Sequence, residues 1–186
     1  MATRSDGPVW LDHTQHGKTY PINHLHPTVE NHSFPARPAP AGRQGAPAVS
    51  FQVYVHYSHH CFSISLSAAG HCADMEIYED LGRKEERIFD VARWNLSKSL
   101  PAIIKKILAK QIFCYQTRHR NFVVVDVGIA SPDVYRIYFS TEKWPGGAAI
   151  FVESAYPSDK NPLKPLKQGS GHQHKSINAV LAEAMK

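Results

Sequence analysis

Four strand-like segments that follow one another between residues 111 and 156 constrain the fold more than any other feature of this sequence. They are QIFCYQTR, NFVVVDVGI, DVYRIYFST and AAIFVESAY, and their separators HR, ASP and EKWPGG are typical of turns. Connections this short join antiparallel neighbours, because a parallel pair needs a crossover of a dozen or more residues. The sequence therefore predicts an antiparallel meander, with NFVVVDV, apolar on both faces, as a central strand.

One amphipathic helix is expected immediately before this meander, within residues 95–110. Pro101 suits the first turn of such a helix, and lysines in its later turns oppose the macrodipole. A short final helix is expected within residues 176–186. The apolar residues that recur at the spacing of one helical face are Leu100, Ile103, Ile104, Ile107 and Leu108.

Two alternating segments upstream predict another pair of strands, over residues 49–57 and 61–66. Only SHH separates them, which favours a hairpin. An exposed loop is expected over residues 68–87, followed by a short strand over residues 87–94. The expected fold class is α+β: a mostly antiparallel sheet, made of the N-terminal hairpin and the C-terminal meander, with one main amphipathic helix packed on it.

Composition divides the chain into three parts. Residues 1–30 are rich in histidine and are expected to form an extended arm. Residues 31–48 form a Pro/Ala/Gly run, which predicts a linker or long loop because proline fixes φ and removes a hydrogen-bond donor. Residues 49–186 are expected to form a single α+β domain with an irregular C-terminal tail.

The sequence favours a cytoplasmic protein without membrane association. Its longest apolar runs are far too short to cross a bilayer, and its N-terminus lacks a hydrophobic signal region. Cysteines number only three, an odd and sparse set that fits reduced thiols better than a disulfide framework.

Charge is distributed unevenly along the chain. Residues 1–97 contain 8 Lys/Arg and 10 Asp/Glu, whereas residues 98–186 contain 13 and 6. An excess of positive charge in one half favours an anionic partner, and RNA or another polyanion is the expected one. A lysine-rich solvated surface explains the same counts equally well.

Several residues of the basic half suit metal-independent RNA cleavage. Attack by a ribose 2′-oxygen needs a base, an acid and cationic stabilisation of the phosphorane. The turn TRHRN can hold phosphate and move a proton, and Arg136 and Tyr138 share one strand face. A hairpin turn with polar tips and structural tyrosines is the alternative. The predicted catalytic residues are His119, Tyr138, Tyr156 and Lys175, and the predicted nucleic-acid-binding residues are Arg118, Arg120 and Arg136.

A zinc site is the alternative hypothesis, with no cofactor expected otherwise. Zinc is held by three or four nitrogen and sulfur ligands. If the arm lies beside the SHH turn, the ligands would be His24, His26, His59, His60 and Cys61. Histidines close together in loops are also often plain solvated residues. A third hypothesis is a non-catalytic interaction module, in which the arm binds a protein partner or a second copy in a homodimer.

Five fragments carry a resemblance: INHLHP, HHCFSISL, LSKSLPAIIKKIL, NFVVVDV and IFVESAYP. Together they resemble an uncharacterised bacterial protein family, which supplies a grouping without a mechanism. The C-terminal half, a helix followed by an antiparallel meander with a basic surface and a late lysine, is similar to RelE-like toxin ribonucleases. That likeness implies RNA as the substrate and a reaction without a metal.

Overall fold

A seven-stranded sheet forms the centre of the protein. The computed structural model describes residues 8–36, 38, 45–65, 76–80, 83–110, 113–116, 122–126, 134–158 and 174–186. In spatial order, the strands of the sheet are β12 (His174–Ser176), β8 (Phe113–Gln116), β9 (Phe122–Asp126), β10 (Val134–Trp144), β11 (Gly147–Ser158), β4 (Val49–Tyr57) and β3 (Thr28–Phe34).

The four strands from β8 to β11 are successive antiparallel neighbours, which confirms the predicted meander. On its other side β11 pairs in parallel with β4, and β4 pairs antiparallel with β3. The fold class is therefore α+β with mostly antiparallel sheets, as expected. The parallel pair was not expected, and it arises because a long excursion of the chain separates β4 from β11.

The turn between β10 and β11 is defined by Pro145 and Gly146. Gly146 has a φ of 79°, and a proline followed by a glycine at positive φ is the sequence of a type II turn. At Gly147 a Cβ atom would overlap the carbonyl oxygen of Gln52 on β4. Glycine at this position therefore lets β4 and β11 pair closely.

Within the part of the chain that the structure describes, three helices accompany the sheet. They are α1 (Val91–Ser97), α2 (Leu100–Lys110) and α3 (Ile177–Ala184). The predicted main helix is confirmed by α2, whose five predicted apolar residues are all buried. The predicted final helix is confirmed by α3, which begins after Ser176, where the Oγ atom accepts a hydrogen bond from Ala179 N at 3.2 Å. Among the described residues, no helix is long and apolar enough to span a membrane.

The core lies between α2, α3 and one face of the large sheet. The buried sheet residues on that face include Val53, Val55, Ile137, Phe139, Ile150 and Val152. A second sheet of three strands has the order β5-β7-β6, with β5 (Ser63–Ser65), β6 (Glu76–Asp80) and β7 (Arg83–Phe89).

The predicted hairpin between residues 49–57 and 61–66 is wrong, because β4 and β5 belong to different sheets. The connection is a short 3-10 helix, His59–Cys61, in which Ser58 Oγ accepts a hydrogen bond from His60 N. The chain turns there, and Phe62 O accepts a hydrogen bond from Asp90 N at 3.0 Å. The alternation of β5 is satisfied by pairing with β7 instead.

Residues 68–94 also differ from the expectation. The predicted loop contains β6 and the start of β7, and the predicted strand over residues 87–94 divides into the end of β7 and the start of α1. Asp90 makes that division, since its side chain caps α1.

The arm contributes to the core. It contains a hairpin of β1 (His13–Gln15) and β2 (Lys18–Tyr20), joined by His16 and Gly17 at φ values of 50° and 72°. Two positive φ values in a two-residue loop match the twist of the flanking strands. The next strand, β3, crosses the expected boundary between arm and linker. Trp10, Tyr20, Ile22 and Leu25 are all buried in the main core.

Candidate anion-binding site

Two arginines and two tyrosines form a cluster on the sheet face opposite α2 and α3. The register pairs Arg136 of β10 with Tyr156 of β11, and strand alternation puts Tyr138 on the same face as Arg136. The rings of Tyr138 and Tyr156 are stacked, with centroids 5.6 Å apart and an interplanar angle of 19°. Arg93 of α1 places its guanidinium carbon 5.5 Å from the Tyr156 ring centroid. We call these four residues the Arg–Tyr cluster.

A β-bulge lies beside the cluster. Tyr138 pairs with Ser154, whereas Phe139 pairs with Val152, so Glu153 is the extra residue. Bulges increase the local twist and redirect side chains, and they are frequent next to binding sites. This bulge divides the β10–β11 pairing into two parts, and the cluster lies in the part that contains Arg136 and Tyr156.

Arg93 is held by the chain segment after β4. Its Nη1 atom donates to His60 O at 3.2 Å and to Ser63 O at 3.0 Å. Its backbone N donates a hydrogen bond to Asp90 Oδ1 at 2.6 Å, and this hydrogen bond is the N-terminal cap of α1. The 3-10 helix and the cap of α1 thus fix the guanidinium over the Tyr156 ring.

Arg136 differs from Arg93 in its hydrogen bonding. Its Nε and Nη2 atoms are buried and have no hydrogen-bond partner among the described residues. Leaving a buried donor unsatisfied costs roughly 1–3 kcal/mol, more for a charged group. An anion can accept two N–H groups of a guanidinium at once, which a single neutral acceptor cannot do equally well. The arrangement is therefore suited to a carboxylate or phosphate ligand.

Tyr156 is a hydrogen-bond donor at neutral pH. Burial first, and then the neighbouring Tyr138 hydroxyl, raise the pKa of the Tyr156 hydroxyl to about 12, whereas Arg136 and Arg93 oppose the shift. The phenol therefore remains protonated. It can donate a hydrogen bond or a proton to an anion, but it cannot act as a general base.

The structure brings together three of the seven residues predicted for RNA chemistry: Arg136, Tyr138 and Tyr156. Lys175 lies apart from them on β12, the far edge strand, where its Nζ atom forms an ion pair with Glu183 Oε2 at 2.7 Å. The remaining three, Arg118, His119 and Arg120, lie outside the described residues.

Arg93 was missed by the sequence analysis. Arg93 fell within a segment predicted to be a strand, so it was not placed in the first turn of a helix. The signal that could have found it is Asp90, because aspartate just before a short apolar run is a typical N-cap. A helix starting there would have placed Arg93 in the first turn.

The arm histidines proposed as zinc ligands have separate partners. Ser97 Oγ donates to Trp94 O and accepts from His24 Nε2, each at 2.8 Å. His26 Nε2 donates to Trp10 O at 3.2 Å. Burial, and then the neighbouring charge of Lys98, lower the pKa of His24.

The other three proposed ligands lie in the 3-10 helix. His59 is buried, with its ring edge-on to Trp10 at a centroid distance of 5.8 Å, and the His60 ring is 4.5 Å from that of His59. Cys61 is buried with Sγ 3.8 Å from Val152 O. Among the described residues, no group of three or more His, Cys, Asp or Glu side chains is arranged to hold a metal ion. The zinc and protein-partner hypotheses remain predictions.

These features define the class: an α+β protein with a seven-stranded, mostly antiparallel sheet and a basic, aromatic cluster on its outer face. The YjaZ family model matches residues 12–185, and the chain belongs to the YjaZ family. A search of curated proteins and a search of solved structures found no significant match. Family membership confirms the grouping expected from the five fragments, and the likeness to RelE-like ribonucleases remains a prediction.

Proposed function

We propose that this protein binds RNA through the Arg–Tyr cluster. The observation that supports the proposal most strongly is the half-buried Arg136, whose buried Nε and Nη2 donors have no partner among the described residues. A phosphate oxygen pair fits those donors, and the adjacent phenol of Tyr156 supplies a further donor. The positive charge of the C-terminal half attracts the rest of a polyanion at longer range.

The four cluster residues have complementary parts in this proposal. Arg136 binds one phosphate with two N–H groups, and the charge of Arg93 lies 5.5 Å from the Tyr156 ring centroid. Since Arg93 Nη1 is committed to two carbonyl oxygens, Arg93 acts mainly through its charge and by fixing the Tyr156 ring. Tyr138 holds Tyr156 by stacking.

Fluorescence anisotropy with a labelled RNA oligonucleotide over a salt series tests the proposal. Arg136→Gln removes the charge and the bidentate donor, and it should weaken binding about tenfold or more, because a hydrogen bond to a charged group contributes about 1.5–3 kcal/mol. It should also lower the salt slope by about one. Lys143→Gln is the matched control: an exposed residue of the same strand, losing the same charge, and expected to change affinity about twofold at most. Absence of RNA binding at low salt would refute the proposal.

We further propose metal-independent, RelE-like cleavage, because a phenol that stays protonated has two arginines as neighbours. In this reaction the 2′-oxygen attacks phosphorus and the P–O5′ bond breaks, giving a 2′,3′-cyclic phosphate. Tyr156 donates its proton to the leaving 5′-oxygen, the arginines stabilise the phosphorane, and His119 takes the 2′-hydroxyl proton. His119 is assigned this role from the sequence alone.

Cleavage is tested by incubating RNA with the protein in EDTA and analysing product ends. The expected result is a cyclic phosphate end, lost in Tyr156→Phe and in His119→Ala, with RNA binding retained in His119→Ala. If the wild-type protein binds RNA and leaves it intact, the cleavage proposal is wrong and the binding proposal is unaffected.

A further inference from the structure

A second feature of the same sheet face lies at the other end of β10. The register aligns Trp144 of β10, Gly147 of β11, Gln52 of β4 and Asn31 of β3 in one row across the sheet. Trp144 is eight residues from Arg136, which places the row about 26 Å from the Arg–Tyr cluster at a rise of about 3.3 Å per residue. Both features share one face because eight is an even number of residues.

A cavity of about 580 Å³ opens beside this row, at the β3–β4 edge of the sheet. Its polar side chains on this face are the amides of Asn31 and Gln52 and the hydroxyls of Ser33 and Ser50, whereas the side chains of the lining residues His32 and Phe51 alternate to the opposite face. The described residues that line it include no lysine, arginine, aspartate or glutamate. Its chemistry therefore favours an uncharged group that both donates and accepts hydrogen bonds.

Aromatic rings flank this region on the side toward the cluster. Tyr54 and Trp144 are half-buried, with ring centroids 5.9 Å apart. Tyr54 Oη donates to Gln52 Oε1 at 2.7 Å, which leaves the Gln52 amide nitrogen to donate elsewhere. Trp144 also packs against the rings of His56 and Phe151, with centroids 5.3 and 6.0 Å away. Because Trp144 is only half-buried, it keeps exposed surface on which a planar ring can stack.

We infer that this end of the sheet binds bases of single-stranded RNA whose phosphates bind at the Arg–Tyr cluster. The inference rests on the proposed function and adds the substrate class. Bases are uncharged, have π faces for stacking, and present donors and acceptors that side-chain amides match. They offer those edges only when unpaired.

The experiment compares a labelled single-stranded decanucleotide, the same strand annealed to its complement, and inorganic polyphosphate as an unlabelled competitor. Gln52→Ala and Trp144→Leu should each weaken binding of the single strand, Trp144→Leu about tenfold, as expected for loss of one stacked base. Neither should change competition by polyphosphate. Val49→Thr, an exposed position on the same β4 strand, is the control and should leave both unchanged. Arg136→Gln should weaken both.

The outcomes separate this inference from the proposal beneath it. If the wild type binds duplex as tightly as single strand, or if both variants bind the single strand as the wild type does, base recognition is wrong and phosphate binding at the cluster stands. Failure to bind any of the three probes refutes the proposed function itself. Circular dichroism and thermal midpoints check folding, and Gln52→Ala, at an exposed position, keeps the test decisive if Trp144→Leu unfolds.

Discussion

The histidines of the arm and the arginines of the Arg–Tyr cluster are both candidate functional groups. They differ in whether their polar atoms have hydrogen-bond partners within the protein. His24 and His26 each have a hydrogen-bond partner inside the protein, in Ser97 and Trp10. The Nε and Nη2 donors of Arg136 have no partner among the described residues. Internal partners indicate a structural role, whereas buried donors without them are available to a ligand.

Two tryptophan side chains also form hydrogen bonds between the arm and the rest of the protein. Trp10 Nε1 donates to Tyr57 O at 2.8 Å, and Trp94 Nε1 donates to Pro21 O at 2.9 Å. The Trp10 ring also meets Phe62 edge-on, with centroids 5.5 Å apart. The arm is therefore joined to the body by buried aromatic contacts and by hydrogen bonds in both directions.

The largest expected effect tests the structural side of the comparison. Trp10→Ala should lower the free energy of unfolding by about 3–5 kcal/mol, because it leaves a large cavity and the Tyr57 carbonyl without its donor. Urea denaturation followed by circular dichroism measures the change. Leu11→Ala, at a neighbouring position that is 84% exposed, should change it by less than about 0.5 kcal/mol. Similar losses in the two variants would show that the arm is not anchored through Trp10.

A smaller effect, of opposite sign, is expected in the cluster. Arg136→Leu should raise the free energy of unfolding by about 1 kcal/mol, since it removes a buried charge and its unsatisfied donors while keeping apolar bulk. The same variant should lose RNA binding. Denaturation and anisotropy on one preparation measure both quantities. A loss of stability in Arg136→Leu would mean that the guanidinium has a structural role, and the contrast with the arm would fail.

The smallest effect concerns pH. The pKa of His24 is lowered in the folded protein, first by burial and then by Lys98, so the unfolded chain takes up a proton at a higher pH, near 6.5. The stability that neutral His24 contributes is therefore complete above that value and is lost as the pH falls through the lowered pKa. Urea midpoints between about pH 7.5 and pH 5 should fall less in His24→Gln than in the wild type. Parallel curves for the two proteins would exclude His24 as a source of the pH dependence.

Much of the local structure was predictable because it depends on the spacing of apolar and polar residues within one segment. The apolar spacing around Ile103 and Ile107 identified α2, and short turns identified the meander. Alternation within β10 placed Arg136 and Tyr138 on one face before any fold was known. The positions of Arg118, His119 and Arg120, which lie outside the described residues, remain predictions.

Which distant segments become neighbours was decided by tertiary structure, because the spacing of apolar residues within one segment does not specify its partner. Alternation in residues 61–66 specified two faces but no partner, and β5 paired with β7 in a second sheet instead of with β4. The closeness of Arg93 to Tyr156 depends on packing between α1 and β11, which are separated by about 60 residues in the chain. The same holds for the histidines, whose partners Ser97 and Trp10 only the folded chain brings near.

The sequence by itself determined α2, α3, the antiparallel meander and the face shared by Arg136 and Tyr138, because a helical or strand period is a property of neighbouring residues. The tertiary structure alone decided that β4 lies parallel to β11, that Arg93 joins the cluster, and which buried polar atoms find partners. Those outcomes depend on contacts between distant segments. The pattern of hydrophobicity along the chain shows which face of a segment is buried, but not which distant segment packs against that face.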